Sequence, residues 1–453
     1  MNKPLLIGSF LIFIALGFVD PPNGMVALIL LAVLAPLIFL IFRSQTDDKE
    51  FVANIFFAAL AARILFGLLL HQFDLREFFG GDANTYDRLG TLIREYWSGK
   101  LAATDPQVLA ATSTARPGWG MNYLVAILYS IFGRNILAAQ TFCGIVGAAT
   151  APMIYFLAQT IFGNKRVARV SALSIALFPS FIIWSGQLLK DGLIVFLLVL
   201  TITMVLKAQE KFSYAAVFAI IFSLFGIISL RFYIFYMVAA AVAGSFIVGA
   251  GRTSISIVRR ATALALIGIA LSYIGVSRNA EKGIEVFGDL RKVQISRLDQ
   301  AQSATSGFNE DADVSTTSGA LSAVPLGLAY LMLAPFPWQM TNFRQLITLP
   351  EVLLWWAMMP LMVYGIWYTL KNRLRPALPI LLFSGMLTLA YSIFQGNVGT
   401  AYRQRTQIQV FLFIFIAVGW TLWKERREDR ELIRRSRLRA MNEQMRAGGH
   451  IEV

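Results

Sequence analysis

The chain has 453 residues and a net charge of +14, with 57% hydrophobic and only 15% charged residues. Soluble domains carry about 25% charged residues, so this composition, with a mean hydropathy of +0.63, excludes an ordinary soluble domain, and the surplus of Lys and Arg reads as the loop bias of a membrane protein rather than as a nucleic-acid surface. One cysteine, Cys143, and two distant histidines, His71 and His450, exclude an internal disulfide and argue against a zinc site, leaving carboxylates, Arg, Lys and Tyr to carry any chemistry.

Apolar runs long enough to cross a bilayer recur along most of the sequence. They are Leu5–Val19, Met25–Phe42, Phe51–Leu70, Ile136–Phe162, Val170–Trp184, Leu193–Leu206, Tyr214–Leu230, Phe232–Val248, Ala261–Ile274, Val352–Leu370, Ala377–Phe394 and Thr406–Trp423, about twelve by apolar length. The first reads as an uncleaved span, because no small-x-small cleavage site precedes Asp20-Pro21-Pro22. Two further apolar stretches, Trp119–Phe132 and Leu321–Trp338, are placed as in-plane or re-entrant elements on the outer side. Only then do Lys165/Arg166/Arg169, Lys207/Lys211, Arg252/Arg259/Arg260, Lys371/Arg373/Arg375 and the basic tail after Trp423 all fall on the cytoplasmic side.

The expected fold is therefore an all-α polytopic membrane protein with about twelve transmembrane helices and added outer-face juxtamembrane helices. Residues 1–50 hold two leading spans, 51–423 the main body with outer loops 70–135 and 277–349, and 424–453 a basic cytoplasmic tail that suits anionic lipid. Ala301–Ala320, rich in Ser, Thr, Gly, Ala and Asp, reads as a mobile loop.

The first outer loop opens on Gly80-Gly81-Asp82-Ala83-Asn84-Thr85-Tyr86-Asp87, directly after an apolar span. Asp82 and Asp87 are the candidate catalytic carboxylates, since transfer to a hydroxyl needs a base for the departing proton; the competing reading is that Asp82 caps a helix running through Tyr86, Leu89 and Ile93. Arg403 and Arg405 lie just outside the last span and suit the charge-assisted grip of a phosphate. Snorkelling arginines at a helix end are the alternative. Lys190, between two spans, is a further phosphate candidate, and Asp191 beside it could face an acceptor or a metal or pair locally with Lys190. Tyr86, Arg116, Arg231 and Tyr402 complete the candidate substrate-binding set. Asp82 and Asp191 are also the candidate ligands for a divalent cation, Mg or Mn, should one be used. Glu351 is explained by the helix dipole, and the outer-face tryptophans by interfacial anchoring. Arg63, in mid-span, should face a partner or a cavity.

An apolar span followed by an outer Gly-Asp-Ala-x-x-Tyr turn, then Arg116-Pro117-Gly118-Trp119 opening an apolar stretch that ends at Phe132-Gly133, resembles the GT-C glycosyltransferases. So does the run from Tyr155 through Phe162-Gly163 to Arg166 and Ala168, with its following span ending at Phe178-Pro179-Ser180. The pattern, over roughly Phe51 to Leu206, is similar to protein O-mannosyltransferases and lipid A aminoarabinose transferases. The resemblance implies a polyprenyl-phosphate sugar donor, a catalytic carboxylate that maps to Asp82, donor-gripping arginines that map to Arg403 and Arg405, and a glycan, lipid or protein acceptor. Separately, the Lys/Arg bias of the loops and tail puts the expected active site on the periplasmic face of a cell inner membrane, with the C-terminus cytoplasmic. The sequence departs from the pattern where two spans precede the usual first core helix, where Ala83 follows Asp82 in place of a second acid, and where Lys190-Asp191 stands for an acidic pair. Two rival classes stay open: a polysaccharide polymerase or ligase acting on undecaprenyl-diphosphate oligosaccharides, and a lipid-linked-sugar flippase.

Overall fold

The computed structural model describes residues 2–115, 117–248, 254–273, 288–302 and 306–448. Arg116, Arg252, His450, residues 274–287 and residues 303–305 lie outside this set. Among the described residues the fold is all-helical, with one isolated bridge between Gly307 and Asn397. The helices are α1 Lys3–Val19, α2 Asn23–Arg43, α3 Lys49–Gln72, α4 Arg76–Phe79, α5 Asp82–Trp97, α6 Pro106–Thr112, α7 Trp119–Phe132, α8 Ile136–Phe162, α9 Lys165–Leu177, α10 Pro179–Ser185 and α11 Lys190–Glu210. They continue with α12 Tyr214–Leu230, α13 Phe232–Val248, α14 Ser254–Tyr273, α15 Leu290–Gln302, α16 Thr317–Leu333, α17 Phe343–Leu346, α18 Leu349–Asn372, α19 Leu374–Phe394, α20 Val398–Gln404 and α21 Thr406–Gly448.

Seven of these helices are long and apolar enough to cross a membrane, and an eighth is obtained if the bent pair α9–α10 counts as one span. Several of the remaining expected spans fall on shorter apolar helices, such as Lys3–Val19, Tyr214–Leu230 and Ala261–Tyr273. α8 is the hub: 83% of its apolar window is buried, against 28% for α2, which is therefore peripheral. Small residues explain this, since Ala138, Ala139, Gly144, Gly147, Ala148 and Ala151 along α8 let neighbouring helices approach closely. The same device joins α18 to α21, where a Cβ on Gly365 would lie 1.8 Å from the Phe415 carbonyl oxygen and one on Gly419 2.0 Å from that of Leu361. α21 runs on without a break from the bilayer segment into the basic tail.

The expected span Val170–Trp184 is not one straight helix. It breaks at Phe178-Pro179 into α9 and α10, inclined at 54°. Pro179 has no N–H to offer the Ile175 carbonyl. Arg63 of α3 supplies what is missing: Nη2 donates to Ile175 O (3.1 Å), Nη1 to Ala176 O (3.2 Å) and Ala59 O (2.9 Å), and Nε to Ser185 Oγ (2.8 Å). The mid-span arginine thus faces a helix end, as a buried intramembrane cation must find partners.

Between residues 301 and 320, the segment expected to be mobile is held where it is described. The Arg297 guanidinium donates to the carbonyls of Asn309 (2.7 Å) and Ala312 (3.1 Å), and Val314 is fully buried with its N–H on Gln294.

Candidate functional site

Four elements that are distant in sequence meet at the N-terminal end of α11. Asp191 stands in the first turn of that helix, where the helix dipole favours a carboxylate, and it is fully buried. One of its oxygens accepts from Arg403 Nε at 2.7 Å and lies 2.5 Å from Arg403 Nη2, and the other accepts from Arg231 Nη2 at 3.2 Å. Arg403, on α20, also donates from Nη1 to Asp82 at 2.6 Å. The result is a chain of alternating charge, Arg231–Asp191–Arg403–Asp82. Side-chain exposure rises along it from 7% at Arg231 and 0% at Asp191 to 16% at Arg403 and 51% at Asp82. It is sealed at one end and open at the other.

The glycine turn delivers Asp82 to this position. Gly80 has φ +123°, a conformation that side chains rarely adopt, and Gly81 occupies the N-cap of α5. No side chain caps that helix end. Asp82 instead sends its carboxylate to Arg403, so the capping reading is set aside by geometry. Trp184, at the end of the bent helix α10, lies under the Arg403 guanidinium at 5.5 Å. It is an interfacial anchor by sequence and the floor of the cluster in the structure.

The other sequence candidates divide into two groups. Lys190 comes close, with Nζ 2.6 Å from the position a Cβ would take on Gly118, and it makes no hydrogen bond to a described residue. Tyr86 is buried beside the acids; burial first, and then Asp82 and Asp191, push its phenol up from the ordinary value, so it stays neutral. Arg405, in contrast, is turned inward. It is fully buried, donates to the carbonyls of Met332 (3.0 Å) and Ala334 (2.9 Å), and lies over Trp355 and Tyr402. Two residues along a helical backbone rotate by about 200°, so Arg405 faces away from the side that Arg403 presents. Tyr402 goes with it: its hydroxyl is 3.1 Å from Ser180 Oγ, which also hydrogen-bonds Glu351, and the three form a buried polar layer beneath the cluster. Asp87, five residues after Asp82 and about 140° around the helix, is locked by Arg134 (2.6 and 3.2 Å) and the Tyr129 hydroxyl (2.7 Å).

Arg344, on α17, is a cation that the sequence reading passed over. Its Nη2 lies 3.8 Å from where a Cβ on Gly80 would sit. Arg344 is exposed, and partial desolvation and the neighbouring Arg403 hold its guanidinium below the ordinary value. Nothing in its local sequence distinguishes it from an exposed loop arginine.

The donor set does not suit a divalent cation. Asp82 and Asp191 both bond Arg403. Among the described residues no three His, Cys, Asp or Glu side chains converge. With Arg231, Arg403, Arg344 and Lys190 against two carboxylates, the cluster has two more positive than negative charges, and it attracts an anion.

The family described as dolichyl-phosphate-mannose-protein mannosyltransferase matches residues 117–276, a little over a third of the chain. No curated protein matches the sequence. The matched segment contributes Trp184, Lys190, Asp191 and Arg231 to the cluster, whereas Asp82, Arg344 and Arg403 come from outside it. The chain is thus a multi-pass membrane protein carrying a GT-C type glycosyltransferase domain of that family over residues 117–276.

Proposed function

We propose that the protein transfers a single sugar from a polyprenyl-phosphate donor to a hydroxyl of a glycan, lipid or protein acceptor, at the Asp82–Arg403 end of the bundle, on the periplasmic side of an inner membrane. The observation that carries this reading is the uncompensated cation excess beside a carboxylate that is half exposed. The domain family supplies the donor class.

The donor's phosphate takes its place against Arg403, Lys190 and Arg344, with Asp191 and Arg231 fixing the Arg403 fork from behind. Phosphate and Asp82 compete for the same guanidinium edge of Arg403. Donor binding therefore releases the Asp82 carboxylate, which then accepts the proton of the acceptor hydroxyl as its oxygen bonds to the anomeric carbon. The bond from that carbon to the phosphate oxygen breaks, its electron pair stays on the phosphate, and the added negative charge meets guanidinium and ammonium groups already in position. Attack from the face opposite the leaving phosphate inverts the anomeric centre. No metal is assigned a role in this scheme.

Arg63 bears on the flippase alternative. A transporter is expected to hold functional charges at mid-membrane, and here the mid-span arginine is bonded to the α9 helix end.

The test is a structure of the protein in lipid nanodiscs with undecaprenyl phosphate. The expected result is phosphate within about 3 Å of Arg403 and Asp82 detached from it. Phosphate bound elsewhere, with the Asp82–Arg403 pair intact, refutes the proposal.

A further inference from the structure

At the opposite end of α11 the bundle contains a cavity of about 390 Å3. Its floor is one face of α8, with Val146, Ala149 and Met153 at helical spacing, and its walls are Ile41 of α2 and Leu200 of α11. α2 and α11 both pack on α8, and the channel runs between them. Most of the lining is apolar; Thr203 turns its hydroxyl to the Val199 carbonyl, and the lone charged residue is Lys207, at the mouth, where Nζ donates to Gln45 Oε1 at 3.3 Å.

We propose that this channel is a binding site for one acyl chain of an anionic phospholipid from the leaflet opposite Asp82, with the lipid phosphate at Lys207. Three observations carry it. The first is length: the α11 wall from Phe196 to Lys207 spans about 16 Å at 1.5 Å per residue, close to the depth of one leaflet, about half of the 30 Å hydrocarbon core. The second is polarity: a channel lined this way stays free of water, and in a bilayer its walls gain dispersion contacts only from a chain that enters it. The third is charge. Lys207 marks one end of the channel, its hydrogen bond to Gln45 is long and exposed, and Arg43 and Lys211 lie exposed at the neighbouring helix ends. A headgroup phosphate fits that end; a neutral headgroup leaves its charge unanswered. α2, which forms the outer wall, is mostly exposed to the surroundings, so the chain enters sideways from the bilayer.

Native mass spectrometry of the purified full-length protein, titrated with POPG or with POPC, tests this. Wild type is expected to retain one POPG about fivefold more strongly than POPC, the preference expected from one lysine near an anionic headgroup. Lys207→Gln should bring the ratio close to one, whereas Lys165→Gln, on the same side of the bundle but outside the channel, should leave it unchanged. Leu200→Trp, which fills the channel, should remove retention of both lipids with the elution volume preserved. Equal retention of POPG and POPC by wild type overturns the proposal, as does an undiminished preference in Lys207→Gln. Displacement of the bound lipid by undecaprenyl phosphate but not by added POPG also overturns it, because the channel would then hold the donor's tail.

Discussion

Asp82→Asn separates catalysis from stability because of where Asp82 sits. The carboxylate is half exposed and bonded to one edge of Arg403. An exposed pair of this kind is worth about 0–1 kcal/mol, and the buried remainder of the cluster, Arg231–Asp191–Arg403, stays intact. Folding stability should therefore fall by less than about 1 kcal/mol. Loss of a general base, by contrast, lowers the rate about 100- to 10,000-fold. A third quantity moves the other way. With no carboxylate competing for Arg403, binding of a lipid phosphate should strengthen by up to about fivefold, the equivalent of about 1 kcal/mol. The assay uses wild type and variant in nanodiscs. Release of polyprenyl phosphate from a panel of polyprenyl-phosphate hexoses gives the rate, binding of undecaprenyl phosphate gives the affinity, and thermal unfolding reports the fold. Transfer at the wild-type rate refutes the base assignment. Weaker binding of the lipid phosphate refutes the competition between Asp82 and phosphate, whatever happens to the rate.

Other substitutions read different parts of the same architecture. Asp191→Ala leaves the buried Arg231 guanidinium without its carboxylate and Arg403 with only the half-exposed Asp82, and should destabilise the protein by about 3–5 kcal/mol, seen as a large drop in melting temperature; an unchanged melt shows that the buried pairs do not hold the cluster. Arg403→Lys keeps the charge but loses the fork that reaches both acids, so lipid-phosphate binding should weaken about tenfold with the helices still folded, as binding isotherms would report. Arg63→Met strips the donors from the Ile175 and Ala176 carbonyls and should cost about 2–4 kcal/mol through unsatisfied buried acceptors; a protein that melts like wild type shows that the α9 end has other partners. On the opposite face, Arg169 and then Tyr155 hold the Asp48 carboxyl below its ordinary value against an opposing effect of burial. A depressed folded value means that the stabilisation is complete above the unfolded value, about 3.9, and is lost as the pH falls through the folded one. Wild type should lose its stability advantage over Asp48→Asn below about pH 4, and a difference that stays constant from pH 7 to pH 3 removes that reading.

The apolar runs that became α3, α8, α11, α18, α19 and the first part of α21 were plain in the sequence because each is long and nearly free of charge. The break inside Val170–Trp184 had a local sign in Pro179, yet a run of that length also reads as one span. What settles it is the donor set of Arg63, more than a hundred residues earlier, and no local pattern reports so remote a partner. The residue types of the cluster were legible as well, since acids and arginines beside apolar spans are costly and rarely idle. Their pairing was not, because the bonds join residues 40, 212 and 321 positions apart. Arg403 and Arg405 looked equivalent by depth, and Asp87 stood beside Asp82 as a second candidate carboxylate. Helical phase separates each pair, and phase matters only once the packing partners are known.

The bend at Pro179 links the body of the bundle to its candidate chemistry. A straight helix through Val170–Trp184 would carry Trp184 on along the axis of α9 instead of turning it beneath Arg403. The turn after α10 also sets the start of α11, and so the first-turn position of Asp191 on which Arg403 and Arg231 converge. Breaking a helix within a membrane exposes carbonyls that lipid cannot satisfy. Arg63 answers them from α3, and Ser180, just past the break, is tied to Glu351 and Tyr402. The buried arginine that the sequence leaves without a partner is thereby a positioning residue: it hydrogen-bonds none of the charged groups of the cluster, and it holds the bend that brings three of the cluster's contributors, Trp184, Asp191 and Arg403, together.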